Sequence, residues 1–184
     1  MDTDRISRLE EEVRSLRERL DKCEPTNSLA IVCFSGEWDK LFAAFTIANG
    51  ALALGLEVHI FFTFWGATAV RNGRSPVGEG ADALQRAFSG ILPGAASSAP
   101  LSRFHFFGLG KFFLRRLMKK KGVDDLPALI RSAKDLGLHA HYCDTSLQLF
   151  GWCPEDLLDA NDSDCCGVST FLSIANRSRT VFFI

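Results

Sequence analysis

The stretch LAIVCFSGEWDKLFAAFTIANGALALGLEVHIFFTFWG, residues 29–66, decides the fold. Residues 29–35 are a continuous apolar run of strand length, as expected of a strand buried on both faces. A helix then opens with Ser35 or Gly36 near its cap. Glu37 and Asp39 sit in its first turn, where negative charge is favoured, and Leu41, Phe42, Ala44, Phe45, Ile47 and Ala48 form its apolar body. Gly55 stops the helix, residues 56–64 form a second apolar strand, and Trp65 and Gly66 lead into a short helix toward Arg71. Strand, helix, strand predicts a right-handed crossover joining two parallel strands. From Leu41 to Val70 only Glu57 and His59 are ionisable, a hydropathy that resembles a membrane span. Asn49, Gly50 and Gly55 interrupt it and its second half is rich in strand formers, so a buried helix and a buried strand are expected instead.

Upstream, Ile6, Val13 and Leu20 occupy one heptad position and Leu9 and Leu16 the other. Parallel pairing of two such helices would set Arg5 against Glu10, Glu12 against Arg17 and Arg19 against Glu24, all opposite in sign. Residues 1–24 are therefore expected to be a coiled-coil helix and the chain a homo-oligomer. A solvated amphipathic helix lying on its own domain is the alternative. Pro25, Thr26 and Asn27 form the expected linker to an α/β domain over 25–184.

Downstream, residues 72–110 turn to Gly, Ser, Ala and Pro, with one helix expected around Glu79–Phe88, and are expected to be a mobile insertion. A basic amphipathic helix is expected at 111–121, with Phe113, Leu114, Leu117 and Met118 on one face. A helix capped by Asp124 or Asp125 and ended by Gly137 precedes a third strand, 138–142, with Cys143 at its C-terminal end. A turn at Gly151–Pro154, a short helix at 155–159, a polar loop NDSD, a helix from Gly167 to Asn176 and a last strand TVFFI follow. The alternation predicts an α/β fold of the doubly wound, Rossmann-like kind, with a mainly parallel sheet of about five strands and helices on both faces.

The chain has 184 residues, 47% of them hydrophobic, enough for one domain with a full core. With 21 basic and 22 acidic residues, no global field recruits nucleic acid. The charged N-terminus lacks the apolar run of a secretory signal, so a cytoplasmic protein is expected. There the six cysteines, 23, 33, 143, 153, 165 and 166, read as core residues, metal ligands or reactive thiols rather than a disulfide framework.

Ligand sites in such folds lie beyond the carboxyl ends of the strands, where Gly36, Gly66 and Cys143 all fall. Cys143 precedes a helix start, whose unpaired N–H groups favour a thiolate or a bound persulfide anion. The turn at Ser35–Glu37 offers further N–H groups, and Lys40 adds charge if it turns inward. A buried Cys143 acting as a small hydrophobe is the plain alternative.

The segments FSGEWDK (34–40), FFTFWG (61–66), FGLGKFFLRRLMKKKGV (107–123) and YCDTSLQLFG (142–151) resemble signature blocks of the DsrE-like sulfur-relay family, in its Phe-rich single-cysteine branch. The resemblance covers residues 29–184. It implies a flavodoxin-like sheet, oligomeric assembly and a cysteine, here Cys143, that accepts and donates sulfane sulfur as a persulfide. Gly36, Asp39, Phe62, Phe64, Gly66, Ser146 and Gly151 match the family pattern. Ser35, Gly36, Asp39, Lys40, Phe64, Trp65, Gly66, Asp144 and Ser146 are the expected surroundings of the carried sulfur. No cofactor or metal is implied, and the implied partners are sulfur donors and acceptors with reactive thiols, TusA-like or rhodanese-like. Thr145, Leu147 and Phe150 stand where family members tend to carry methionines, and Gln148 replaces an acidic position, which alters the pocket but leaves the thiol.

Three rivals remain at this point. His139, His141 and Cys143 share a strand face and are zinc-ligand types, although neighbours on one face lie nearly 7 Å apart at about 3.3 Å per residue. Thiol redox chemistry would need Cys153, Cys165 or Cys166 to resolve a disulfide with Cys143. A non-enzymatic oligomeric scaffold would dock partners through the basic helix and Phe104, Phe106 and Phe107, on an acidic protein or a peripheral membrane surface. Neither GxGxxG nor a Walker A loop occurs, so nucleotide binding has no support.

Overall fold

The computed structural model describes residues 2–23, 26–73, 81–102, 109–157 and 164–184. Pro25 of the linker, Phe104, Phe106 and Phe107, and residues 161–163 of the NDSD loop lie outside the described residues. Helix α1 (Asp2–Cys23) precedes β1 (Thr26–Cys33), α2 (Trp38–Ala53) and β2 (Glu57–Phe62), and a 3-10 helix follows at Phe64–Val70. Helices α3 (Ala83–Ile91), α4 (Leu109–Lys121) and α5 (Leu126–Asp135) lead to β3 (His139–Cys143) and α6 (Asp144–Phe150). Strand β4 (Cys165–Cys166), α7 (Val168–Ala175) and β5 (Ser178–Phe183) complete the chain.

The five strands form one sheet in the order β4-β3-β2-β1-β5, every neighbouring pair parallel. The mainly parallel α/β sheet expected from the alternation, flavodoxin-like as the resemblance implies, is therefore present. Strand β1 starts earlier than the apolar run: Thr26 pairs with Ser178 and its N–H donates to Arg177 O at 2.8 Å, so Thr26 and Asn27 are strand, not linker. These two are exposed, and hydrophobicity marks only the buried part of a strand.

Alternation along the strands divides the interior into two layers. On one face Ile31, Cys33, Val58, Ile60, Phe62 and Tyr142 pack with Leu41, Phe45 and Ala48 of α2 and Leu126, Ile130 and Ala133 of α5. On the other, Ala30, Phe61, Cys143 and Cys166 pack beneath Phe171 and Ala175 of α7, with Phe61 stacked on Phe171 at 4.7 Å. The apolar stretch from Leu41 to Val70 is thus α2, β2 and the 3-10 helix, and no described helix is long and apolar enough to cross a membrane.

Within the expected insertion, residues 81–102 pack against the core. Helix α3 begins at a capping box between Asp82 and Gln85, and Ser89, Leu92, Ala96 and Ala99 are buried. Buried Arg71 lies 4.6 Å over the Trp152 ring and donates to Ser89 O, and Trp152 Nε1 donates to Ser89 Oγ at 2.7 Å. Helix α4 differs from its expected face: Met118 is buried, but Phe112, Phe113 and Leu117 are more than half exposed among the lysines and arginines.

Candidate functional site

Cys143 is the last residue of β3 and the N-cap of α6, so the end of a buried strand fixes its backbone and the first turn of a helix surrounds its thiol. It is 8% exposed. Burial alone would push this thiol up, but hydrogen bonds from the Ser146 and Thr63 hydroxyls and from the N–H groups of Ser146 and Thr145 outweigh it. The thiol titrates below its ordinary value.

The donors are themselves fixed. Ser146 is buried one turn into α6, and its Oγ accepts the Phe64 N–H at 2.9 Å and lies 3.1 Å from Thr63 Oγ1. Phe64 holds φ +46°, a left-handed conformation that costs a non-glycine residue about 1–2 kcal/mol. That turn points its N–H at Ser146 and swings Trp65 into the 3-10 helix. Gly66 N–H donates to Phe34 O at 2.9 Å and Thr63 N–H to Cys33 O at 3.1 Å, which binds the end of β2 to the end of β1. This close approach requires Gly66, where a Cβ would stand 2.0 Å from Cys33 O.

The other predicted residues divide into groups. Ser35, Gly36, Lys40 and Trp65 line a neighbouring pocket of about 380 Å3, together with Phe34, Glu37, Thr68, Pro93 and Pro100. Ser35 Oγ accepts the Glu37 N–H at 3.2 Å and donates to the Glu37 carboxylate, which also pairs with Lys40. Lys40 therefore answers to Glu37 and is not among the groups that lower the Cys143 thiol. Asp39 accepts the Ser102 N–H at 2.9 Å and its hydroxyl as well, clamping residues 81–102 onto α2. Burial would raise Asp39, but these bonds hold it below the usual carboxylate value. Asp144 follows Cys143 and acts on Cys166, whose thiol burial, Asp144 and Cys143 all push up.

An aromatic rim crosses the same end of the sheet. Phe34 lies 5.6 Å from Phe64 and 5.9 Å from Phe183, and Trp65 lies 6.0 Å from Phe150 and 6.2 Å from Phe88. Phe34, Phe64 and Trp65 are each about 40% exposed, so the rim presents aromatic surface to solvent.

Cys33, Cys153, Cys165 and Cys166 differ from Cys143. Cys33 is fully buried and burial pushes its thiol up to about 12. Cys153 is exposed, and burial of the thiol, Asp156 and Glu155 raise it. Cys165 packs with the larger core layer, whereas Cys166 faces the layer of Cys143.

The zinc arrangement does not form. His59 Nδ1 lies 3.1 Å from His141 Nε2, and His139 faces Glu57 at 3.5 Å, so both strand histidines are engaged away from Cys143. Among the described residues no three His, Cys, Asp or Glu side chains converge on a metal position. Sequence reasoning missed Thr63 and His59, and it named Cys166 without separating it from Cys153 and Cys165. Only the strand register could have revealed them, since each meets its partner across the sheet rather than along the chain.

A sequence profile of the DsrE/DsrF/DrsH-like family matches residues 25–183. The chain is 39% identical over 162 residues to the uncharacterized protein YrkE of Bacillus subtilis, covering 88% of this chain and 99% of that one. It is also 25% identical over 167 residues to the sulfur carrier protein DsrE2 of Allochromatium vinosum, covering 85% and 97%. The strand-end cysteine, the five-stranded parallel sheet and a profile match across nearly the whole α/β part lead to one assignment: this chain belongs to the DsrE/DsrF/DrsH-like family.

Proposed function

We propose that the protein is a sulfur-relay carrier in which Cys143 accepts and donates sulfane sulfur as a persulfide. Family membership and likeness to a sulfur carrier protein support a sulfur-relay role in general. The observation that carries the specific reading is the hydrogen-bonded set around one thiol: Thr63, Ser146 and the Thr145 and Ser146 N–H groups hold Cys143 below the ordinary thiol value despite burial. Such a thiolate attacks the outer sulfur of a persulfide donor, and the donor leaves as a thiolate. The same donors stabilise the anionic terminal sulfur of the loaded state.

The partners in this reading are thiol-bearing donor and acceptor proteins of the cytoplasm, which approach over Phe34, Phe64 and Trp65. The exposed apolar and basic face of α4 is a docking surface for an acidic partner, and α1 pairs two or more copies through Ile6, Leu9, Val13 and Leu16, each about half exposed. The relay is tested by loading the chain with a persulfide donor, removing the donor and adding a reduced acceptor protein. Sulfur that moves to the acceptor from wild type, and not from Cys143→Ala, supports the proposal. Transfer at equal rates from both excludes it.

A further inference from the structure

Cys143 and Cys166 are direct partners in the parallel ladder between β3 and β4, the last residue of one strand beside the last residue of the other. Partners in adjacent strands have Cα atoms about 4.8 Å apart, within the roughly 4.4–6.8 Å that a disulfide spans. Both side chains enter the same layer beneath Phe171, both are nearly buried, and both are free thiols. The adjacent Cys165 is paired with Tyr142 and turns to the opposite layer. Of the cysteine pair at 165 and 166, only the second shares a face with the carrier thiol.

We infer that Cys166 is a resolving thiol for Cys143, closing a cross-strand disulfide that discharges a sulfur atom the acceptor has not collected. The discharge rests on the carrier function proposed above, while the closure itself follows from the ladder. The Cys166 thiol gives its proton to the terminal sulfur and attacks Cys143 Sγ, the bond from Cys143 Sγ to the terminal sulfur breaks, and that sulfur, with a second proton from its own S–H form or from solvent, leaves as hydrogen sulfide. The sulfane sulfur is reduced and the two cysteines are oxidised, so no outside oxidant is consumed. Two equivalents of a small-molecule thiol reopen the disulfide.

The asymmetry of the pair suits these roles. Hydrogen bonds lower Cys143, whereas burial, Asp144 and Cys143 itself raise Cys166, so the resolving thiol is mostly protonated and reacts slowly. An acceptor already docked at the aromatic rim takes the sulfur first. Without an acceptor, the disulfide forms.

Two arms test this on the full-length reduced chain. In the first, the azo oxidant diamide supplies a leaving group that needs no carrier function: Cys143 adds to the N=N bond, Cys166 displaces the hydrazine, and peptide mapping reads the cross-link. In the second, a low-molecular-weight persulfide donor is removed after loading, and intact mass and released sulfide are followed. A Cys143–Cys166 cross-link in the diamide arm is expected. In the donor arm the added sulfur should disappear about tenfold faster from wild type than from Cys166→Ser or Cys166→Ala, with sulfide released and two hydrogens lost. Diamide linkage of Cys143 to Cys153 or Cys165, no intrachain linkage, or equal decay of loaded wild type and variants overturns the inference. Cross-linking by diamide with no sulfur loaded on any variant supports the closure and contradicts the carrier function instead.

Discussion

Ser146 Oγ accepts the N–H of Phe64 at 2.9 Å, so one hydroxyl holds the left-handed turn after β2 and presents its proton to Cys143. Removing it has two effects. Ser146→Ala leaves the Phe64 N–H without its acceptor, costing about 1–3 kcal/mol, and raises the Cys143 thiol. Alkylation of Cys143 by iodoacetamide at neutral pH is expected to slow about tenfold, with the midpoint of its pH–rate curve moved upward. An unchanged midpoint contradicts the role given to Ser146.

Gly66 presses the start of the 3-10 helix onto Cys33 O. Gly66→Ala places a methyl group 2.0 Å from that oxygen, and the obstacle is backbone, which cannot rotate aside. A loss of more than about 3 kcal/mol is expected in chemical denaturation, against a gain of up to about 1 kcal/mol for Gly50→Ala, which lies within α2 where a Cβ meets nothing within 4 Å.

The fold was legible where buried strands read as apolar runs. Residues 29–35 and 56–64 announced β1 and β2, and the spacing of Asp125, Pro127 and Gly137 announced α5. Strand β4 was not legible, because two residues carry no period, and its pairing with β3 depends on the return of the chain after residue 157. The same shortness hid which of Cys153, Cys165 and Cys166 lies beside Cys143. Cys143 was legible as a thiol at a strand end, but its donors were only half visible: Ser146 lies one turn along its own helix, whereas Thr63 arrives from β2 through the register Phe62 to Tyr142. Lys40 looked available in sequence, although Glu37 three residues before it stands at the spacing where opposite charges pair on a helix.

His59 and His141 face each other in the thinner layer, and burial holds both below the ordinary imidazole value of 6.5. For His59, Glu57 raises and His139 lowers the value; for His141, His59 and His139 lower it and Asp164 raises it. A depressed folded value means that the unfolded chain binds more protons, so stability is lost as pH falls from 6.5 through the folded values. Urea midpoints are expected to drop across that interval, and the drop should be shallower in His141→Gln. Equal slopes would remove the pair as its cause.

Helix α1 leaves Ile6, Leu9, Val13 and Leu16 about half exposed, spaced as one apolar stripe. Deletion of residues 1–24 is expected to lower the solution mass measured by light scattering by at least one chain. An unchanged number of copies would place assembly elsewhere on the surface.

In the proposed relay one cysteine of six carries the sulfur. Brief treatment of reduced Cys166→Ser protein with a persulfide donor, followed by alkylation and mass mapping of every remaining cysteine peptide, distinguishes that thiol from the others. The added mass of one sulfur atom is predicted on Cys143 alone and is lost in the Cys143→Ala, Cys166→Ser double variant. Equal loading of that double variant, or sulfur spread evenly over Cys33, Cys153 and Cys165, would contradict it.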